Sequence, residues 1–234
     1  MEALTKNTAI VEFTIQQSAP VIVEDLLSRN PKIVGFGVYI WNVALTIEVV
    51  HLLKQRAPEV CVVLGGPEVS HEVNEQPLCE VADVVITGEA DHTFREVCIA
   101  LLNQKPVEHI VRSALPEMHT LSMPYHLYTD EDIENRIVYV EASRGCPFRC
   151  QFCLSSLEIP VRKPDLTLFL QEMDTLYTRG VRHFKFVDRT FNLSAKVSGA
   201  ILDFFLERMV PGLFLHFEMI PDKLPPALKE KIKA

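Results

Sequence analysis

The stretch Cys146-Pro-Phe-Arg-Cys150-Gln-Phe-Cys153 sets three thiols in one short loop at the spacing C-x3-C-x2-C. Thiolates are soft metal ligands, and half of the chain's six cysteines gathered at this density point to metal chemistry. Three thiolates neither close a tetrahedral zinc site nor occupy all four irons of a cubane cluster, so one coordination position is left for an outside ligand. A plain electron carrier would want a fourth cysteine. Cys61, Cys79 and Cys98 lie within apolar periodic segments and read as buried small hydrophobes, although folding could bring one of them to the loop. A zinc site and chance burial are the competing readings of the triplet.

The loop needs a support, and the flanking pattern supplies one. Residues 137–143 read as a strand that runs into the cysteines, and Asp165 starts a helix bearing Phe169, Met173, Leu176 and Tyr177, closed by Gly180. Residues 183–187 read as a second strand, followed by a helix capped by Ser194, and residues 213–219 as a third. Ligands of successive βα units gather beyond the C-terminal strand ends, which nominates Asp188, Arg189, Asn192 and Glu218. Asp188 is suited to hydrogen-bond a ribose or an amino group; shaping a turn and starting the next helix is an equal reading for Asp188 and Asn192.

The first half of the chain alternates β-branched runs with helical stripes, the pattern of parallel βα units. Strands are expected at 9–14, 33–37, 60–64 and 83–86, with helices over 21–27, around Leu45 to Leu53, and around Phe94 to Leu102. The third strand runs into Gly65-Gly66-Pro67 and the fourth into Gly88-Glu89. The periodicity lapses over 113–135, where Pro116, Pro124 and Asp130-Glu131-Asp132 suggest a linker. Residues 1–112 are thus expected to form a flavodoxin-like or Rossmann-like α/β domain, and residues 136–234 a second domain.

With 23 basic and 31 acidic residues, the net charge of -8 disfavours nucleic acid as a partner. The 48% hydrophobic content supports sizeable cores, no apolar run is long enough for a membrane helix, and no secretory signal opens the chain. A cytosolic protein with reduced cysteines is the expectation.

C-x3-C-x2-C after a strand, with the aromatic Phe152 before the last cysteine, resembles the radical S-adenosylmethionine (SAM) superfamily. The α/β module with Gly65-Gly66-Pro67-Glu68 and Gly88-Glu89, then a linker, then this loop, resembles its cobalamin-binding subgroup. The resemblance implies that Cys146, Cys150 and Cys153 hold a 4Fe-4S cluster whose free iron binds SAM, and that Phe152 lies near the adenine. It further implies reductive cleavage of SAM to a 5'-deoxyadenosyl radical, coupled to cobalamin for methyl transfer or for another radical reaction, with an electron donor such as flavodoxin or ferredoxin. The substrate, a small molecule or a macromolecule, is not legible.

Cobalamin would lie over the C-terminal ends of the first domain's strands. Glycines there allow close backbone approach, which nominates Gly65, Gly66, Gly88 and Glu89. Tyr39 and Trp41, in the loop after the 33–37 strand, are suited to stack on the cofactor; interdomain packing is the equal alternative. The D-x-H-x-x-G motif that supplies a cobalt-binding histidine has no match, and His92 beside Asp91 reads as a helix-terminal residue. Relative to the family pattern, the first βα unit of the cobalamin domain and the later part of the radical SAM (βα) barrel are missing, so the chain is expected to be a fragment. The alternatives are a cobalamin- or nucleotide-binding piece without catalytic activity, and an iron-sulfur electron carrier.

Overall fold

Parallel strand pairing builds both sheets of the computed structural model, which describes residues 2–157 and 160–234. The chain divides into two units, Met1–Pro116 and Glu117–Ala234.

In the first unit, α1 (Glu2–Thr5) and α2 (Ala19–Ser28) precede β1 (Ile33–Gly37), α3 (Val43–Arg56) and β2 (Cys61–Gly65). Short helices α4 (Pro67–Ser70) and α5 (Pro77–Val81) lead to β3 (Val84–Thr87), α6 (Thr93–Leu102) and β4 (Ile110–Arg112). The strands pair in the order β1-β2-β3-β4, with Ile33 opposite Cys61, Val63 opposite Val84 and Val85 opposite Ile110. β2 and β3 are apolar at consecutive positions because the sheet is covered on both faces. Val62, Leu64 and Val85 join the core with Val23, Leu26, Val50 and Leu53 of α2 and α3, while Val63, Val84 and Ile86 pack with Val97 of α6. Each fully buried side chain of this size is worth about 1.5–3 kcal/mol.

The strand expected over 9–14 does not form. Its alternation survives, since Ile10 is 74% exposed while Phe13 packs against the core. Among the described residues β1 is paired on one side only, by β2, and the 9–14 segment forms no ladder with its free edge. β4, conversely, was not expected, because three residues carry no readable periodicity.

The second unit begins with residues that the lapse in periodicity assigned to a linker. They include α7 (Asp130–Asn135), which starts at a capping box between Thr129 and Asp132. Tyr125 is buried in the unit's core, and its hydroxyl accepts from Glu141 N at 2.9 Å; the Tyr128 hydroxyl accepts from Tyr139 N at 3.0 Å. β5 (Val138–Val140), α8 (Leu166–Thr178), β6 (His183–Phe186), α9 (Ala195–Leu206), β7 (Phe214–His216) and α10 (Pro226–Lys233) follow. The sheet order is β5-β6-β7, all parallel. Asp165 caps α8 by accepting from Leu168 N at 3.0 Å, and Ser194 caps α9. One face of this sheet, Val138, Val140, Phe184 and Phe186, packs on Phe169, Met173 and Leu176 of α8 and on Ile201 and Phe205 of α9. β5 and β7 are shorter than the expected 137–143 and 213–219, because the residues beyond them turn to other hydrogen-bond partners. No helix among the described residues is long and apolar enough to cross a membrane.

Candidate functional site

In the first unit, three loops at the C-terminal ends of the strands are stitched into a crest. Val38 N donates to Gly65 O at 2.7 Å, and Glu68 N to Val38 O at 3.3 Å, which ties the loop after β1 to the turn after β2. The Ser70 hydroxyl donates to Gly66 O at 2.7 Å and accepts from Gly88 N at 3.0 Å, which ties the turn after β2 to the turn after β3. Asn42 locks the first loop, its Oδ1 accepting from Tyr39 N at 2.8 Å and its Nδ2 donating to Gly37 O at 3.0 Å. On this frame Tyr39 and Trp41 stack, ring centroids 4.6 Å apart and 10° from parallel, with Trp41 65% exposed.

The glycines of the crest have different reasons. Gly66 has φ +109° and a Cβ added there would lie 2.5 Å from Val38 O, so glycine is required by packing between the loops. Gly88, at φ +80°, is required by its left-handed backbone. Gly65 answers to neither, because its added Cβ would meet only Ile86 O at 3.9 Å. An open backbone at Gly65 and a flat exposed aromatic pair suit the close approach of a broad planar ligand. Glu89 is half-buried next to Gly88.

In the second unit, the cysteine loop leaves β5 and is closed at its base by an antiparallel bridge: Arg144 N donates to Arg162 O at 2.9 Å and Arg162 N to Arg144 O at 2.8 Å. Glu141 pairs with Arg144 at 2.8 Å and steadies that base. Cys146 is buried with its Sγ 3.9 Å from Thr190 Oγ1. Cys150 and Cys153 are exposed on a turn in which Cys153 N donates to Cys150 O at 3.1 Å, and Phe152 between them is 95% exposed. All three are free thiols, a donor set suited to iron and sulfide. Their side chains do not converge, however: among the described residues no group of three His, Cys, Asp or Glu side chains is arranged to hold a metal ion. Binding one cluster through all three requires the loop to close over Cys146. Burial pushes the other thiols, Cys61, Cys79 and Cys98, up, Cys61 to about 11.

Asp188 lies where β6 ends and is 3% exposed. Its carboxylate is engaged by the end of the preceding strand: Oδ2 accepts from Ala142 N at 2.9 Å and Oδ1 from Ser143 Oγ at 2.6 Å. Burial raises its pKa, against the pull of these two hydrogen bonds. Asn192 is likewise engaged by backbone: Nδ2 donates to Ile220 O at 2.7 Å and Oδ1 accepts from Ile220 N at 2.9 Å. Both side chains thus bridge segments distant in sequence, and the helix that follows is capped by Ser194. Glu218 lies past the end of β7 and offers its carbonyl to Phe191 N at 2.8 Å; Arg189 is exposed. Sequence reasoning passed over Ser70, Tyr125, Ser143 and Thr190, which act through long-range hydrogen bonds or contacts that leave no local pattern.

The chain thus carries two sites, an aromatic and glycine crest on a doubly covered parallel sheet and a triple-cysteine loop after a parallel strand. The chain matches the family model of the B12 binding domain over residues 4–98. It is 28% identical over 191 residues to an uncharacterized methyltransferase of Pyrococcus horikoshii, covering 71% of this chain and 41% of that protein. It is 29% identical over 164 residues to the cobalamin-dependent radical SAM methyltransferase TokK of Streptomyces tokunonensis, covering 59% of this chain and 23% of TokK. The structure of the radical SAM methyltransferase TsrM from Kitasatospora setae, with cobalamin and a [4Fe-4S] cluster bound, is similar in fold, with a TM-score of 0.69 at 14% identity over 91% of this chain and 48% of that one. The chain thus spans less than half the length of each of these relatives.

Proposed function

We propose that the chain is the cobalamin-binding and cluster-binding part of a radical SAM methyltransferase, its second unit being the first three βα units of a radical SAM barrel. The observation that carries this reading is the triple-cysteine loop, held at its base by the Arg144 and Arg162 bridge, in a chain whose residues 4–98 match the B12 binding domain.

Cys146, Cys150 and Cys153 would hold the 4Fe-4S cluster, with Phe152 beside the adenine of SAM. When bound, the cluster supplies the electron that splits SAM into methionine and a 5'-deoxyadenosyl radical, and cobalamin supplies a carrier for the methyl group. The chain's own contribution is positional. Asp188 and the Arg144 and Arg162 bridge fix where the loop begins and ends, and the exposed arm with Cys150, Phe152 and Cys153 is left to close over the ligand. On the crest, Tyr39 and Trp41 offer a flat apolar surface, and Gly65, Gly66, Gly88 and Glu89 border the space where the macrocycle would lie. An electron donor such as flavodoxin or ferredoxin, a cytosolic setting and a substrate that is not nucleic acid belong to the same proposal.

One observation favours a second reading, a cobalamin- or nucleotide-binding piece without catalytic activity: the three sulfurs do not converge among the described residues. Anaerobic reconstitution of the full-length protein with iron, sulfide and cobalamin, followed by assay for 5'-deoxyadenosine, separates the two. Cobalamin uptake with 5'-deoxyadenosine formed supports the first reading; cobalamin uptake without it supports the second.

A further inference from the structure

The two faces of the β5-β6-β7 sheet are treated differently. Val138, Val140, Phe184 and Phe186 pack toward α8 and α9, while the alternate residues project from the other face, where Tyr139 is 48% and Phe214 54% exposed. Parallel sheets are ordinarily covered on both faces, and strands covered on both faces carry near-continuous apolar runs. This second face is not built that way. Its register sets Tyr139 beside Lys185 and Lys185 beside His216, one polar row across all three strands. The adjoining row brings His183 and Phe214 together edge to face, ring centroids 4.7 Å apart. Lys185 Nζ lies over the Tyr139 ring, 5.4 Å from its centroid.

Charge accounting singles out Lys185. In this unit Arg144, Arg179, Arg208 and Lys231 each meet a carboxylate. Among the described residues Lys185 meets none, and its ammonium is set against the Tyr139 ring instead. Glu141, one row nearer the strand ends, is committed to Arg144, and Glu218 is exposed. Lysine is depleted in strands, and this one is half-buried in the middle of one. His216 sits on the neighbouring strand, about 4.8 Å away across the sheet, so an imidazole N–H and the ammonium can reach two oxygens of one group. A single fixed cation balances a single negative charge, which suits a carboxylate rather than a phosphate dianion. Lys185 lies three residues before Asp188, roughly 10 Å along the strand, so a molecule anchored here extends over the sheet face toward the strand ends.

We propose that this face is a carboxylate-binding site, in which Lys185 and His216 hold the carboxylate and the rings of Tyr139 and Phe214 line the body of the ligand. The proposal rests on the radical SAM reading above only in taking that ligand to be the substrate, to which it assigns a chemical class: a carboxylic acid with an apolar or aromatic body.

The test uses the full-length protein without cluster or SAM and two probes of matched shape, phenylacetate and the uncharged phenylacetamide, with binding read by saturation-transfer NMR. Wild type is expected to bind phenylacetate about tenfold or more tighter than the amide. Lys185→Met keeps the length of the side chain without its charge and is expected to bring phenylacetate down to the level of the amide, with amide binding unchanged. His216→Ala is expected to weaken phenylacetate severalfold, and Lys185→Arg to keep the preference. Where Met disturbs folding, Lys185→Gln makes the same comparison. Absence of a preference in wild type, or a preference that survives the loss of the Lys185 charge, overturns the proposal and leaves the radical SAM reading intact. Failure of the reconstituted wild type to form 5'-deoxyadenosine overturns that reading, while the probe preference still decides whether the face binds a carboxylate.

Discussion

Ser143 donates its hydroxyl to Asp188 Oδ1 at 2.6 Å, joining the end of the strand that enters the cysteine loop to the end of the next strand. Ala142 N completes the clamp on Oδ2 at 2.9 Å, and the carboxylate is almost fully shielded from water. Removing it leaves a buried N–H and a largely shielded hydroxyl without their partner, a loss of about 2–4 kcal/mol. Asp188→Ala is therefore expected to lower the unfolding midpoint of the second unit markedly. Asp188→Asn keeps an acceptor for Ala142 N and offers Ser143 Oγ a donor instead, so it is expected to stay within about 1 kcal/mol of wild type. Urea unfolding of the two variants checks this, and equal losses would contradict it.

The same carboxylate gives a pH dependence with a definite sign. Burial raises the Asp188 pKa, so the folded state holds the proton more tightly than the unfolded chain. Its contribution to stability is fully present below the ordinary aspartate range and is lost as pH rises through the raised value. Stability measured across that acidic window is expected to decline less steeply with rising pH in Asp188→Asn than in wild type. Parallel profiles would show that Asp188 does not titrate in this window.

At the crest, Gly66 and Trp41 are predicted to fail in opposite ways. Gly66→Ala places a methyl group 2.5 Å from Val38 O at a φ of +109° and is expected to destabilise the first unit by about 1–3 kcal/mol. Trp41 is mostly exposed, so Trp41→Ala is expected to leave thermal unfolding nearly unchanged yet weaken cobalamin binding at least tenfold. Calorimetric titration with hydroxocobalamin alongside thermal unfolding reads both. Unchanged affinity in Trp41→Ala would remove the stacked pair from the cofactor site.

Legibility in the sequence followed periodicity. β1 was readable to the residue and β2 and β3 to within a residue or two, because their β-branched runs end in glycine turns. The segment over 9–14 carried the same local signal yet formed no strand, since pairing depends on a neighbour that local pattern cannot announce. Over residues 117–135 the periodicity lapses, yet Tyr125 and Tyr128 anchor the segment through hydroxyls bonded to Glu141 N and Tyr139 N, and an anchoring hydroxyl has no period. In the candidate site the cysteine spacing was plain. The bonds of Asp188 to Ala142 and Ser143 were not, because their partners lie some 45 residues away and leave no local pattern.

Cysteine replacement separates the loop from the rest of the fold. Cys150 and Cys153 are exposed, so Cys150→Ala and Cys153→Ala are expected to cost little stability while reducing bound iron in the reconstituted full-length protein severalfold. Cys146 is buried against Thr190, and Cys146→Ala is expected to lose iron together with about 1 kcal/mol of stability. Iron and sulfide assays paired with urea unfolding distinguish these outcomes.

The most direct test of the central claim is the electron paramagnetic resonance spectrum of the reduced, reconstituted full-length protein before and after SAM is added. The account predicts a 4Fe-4S signal that changes on addition of SAM, with 5'-deoxyadenosine appearing, and neither in Cys150→Ala. A cluster signal indifferent to SAM, or no cluster at all, would contradict it.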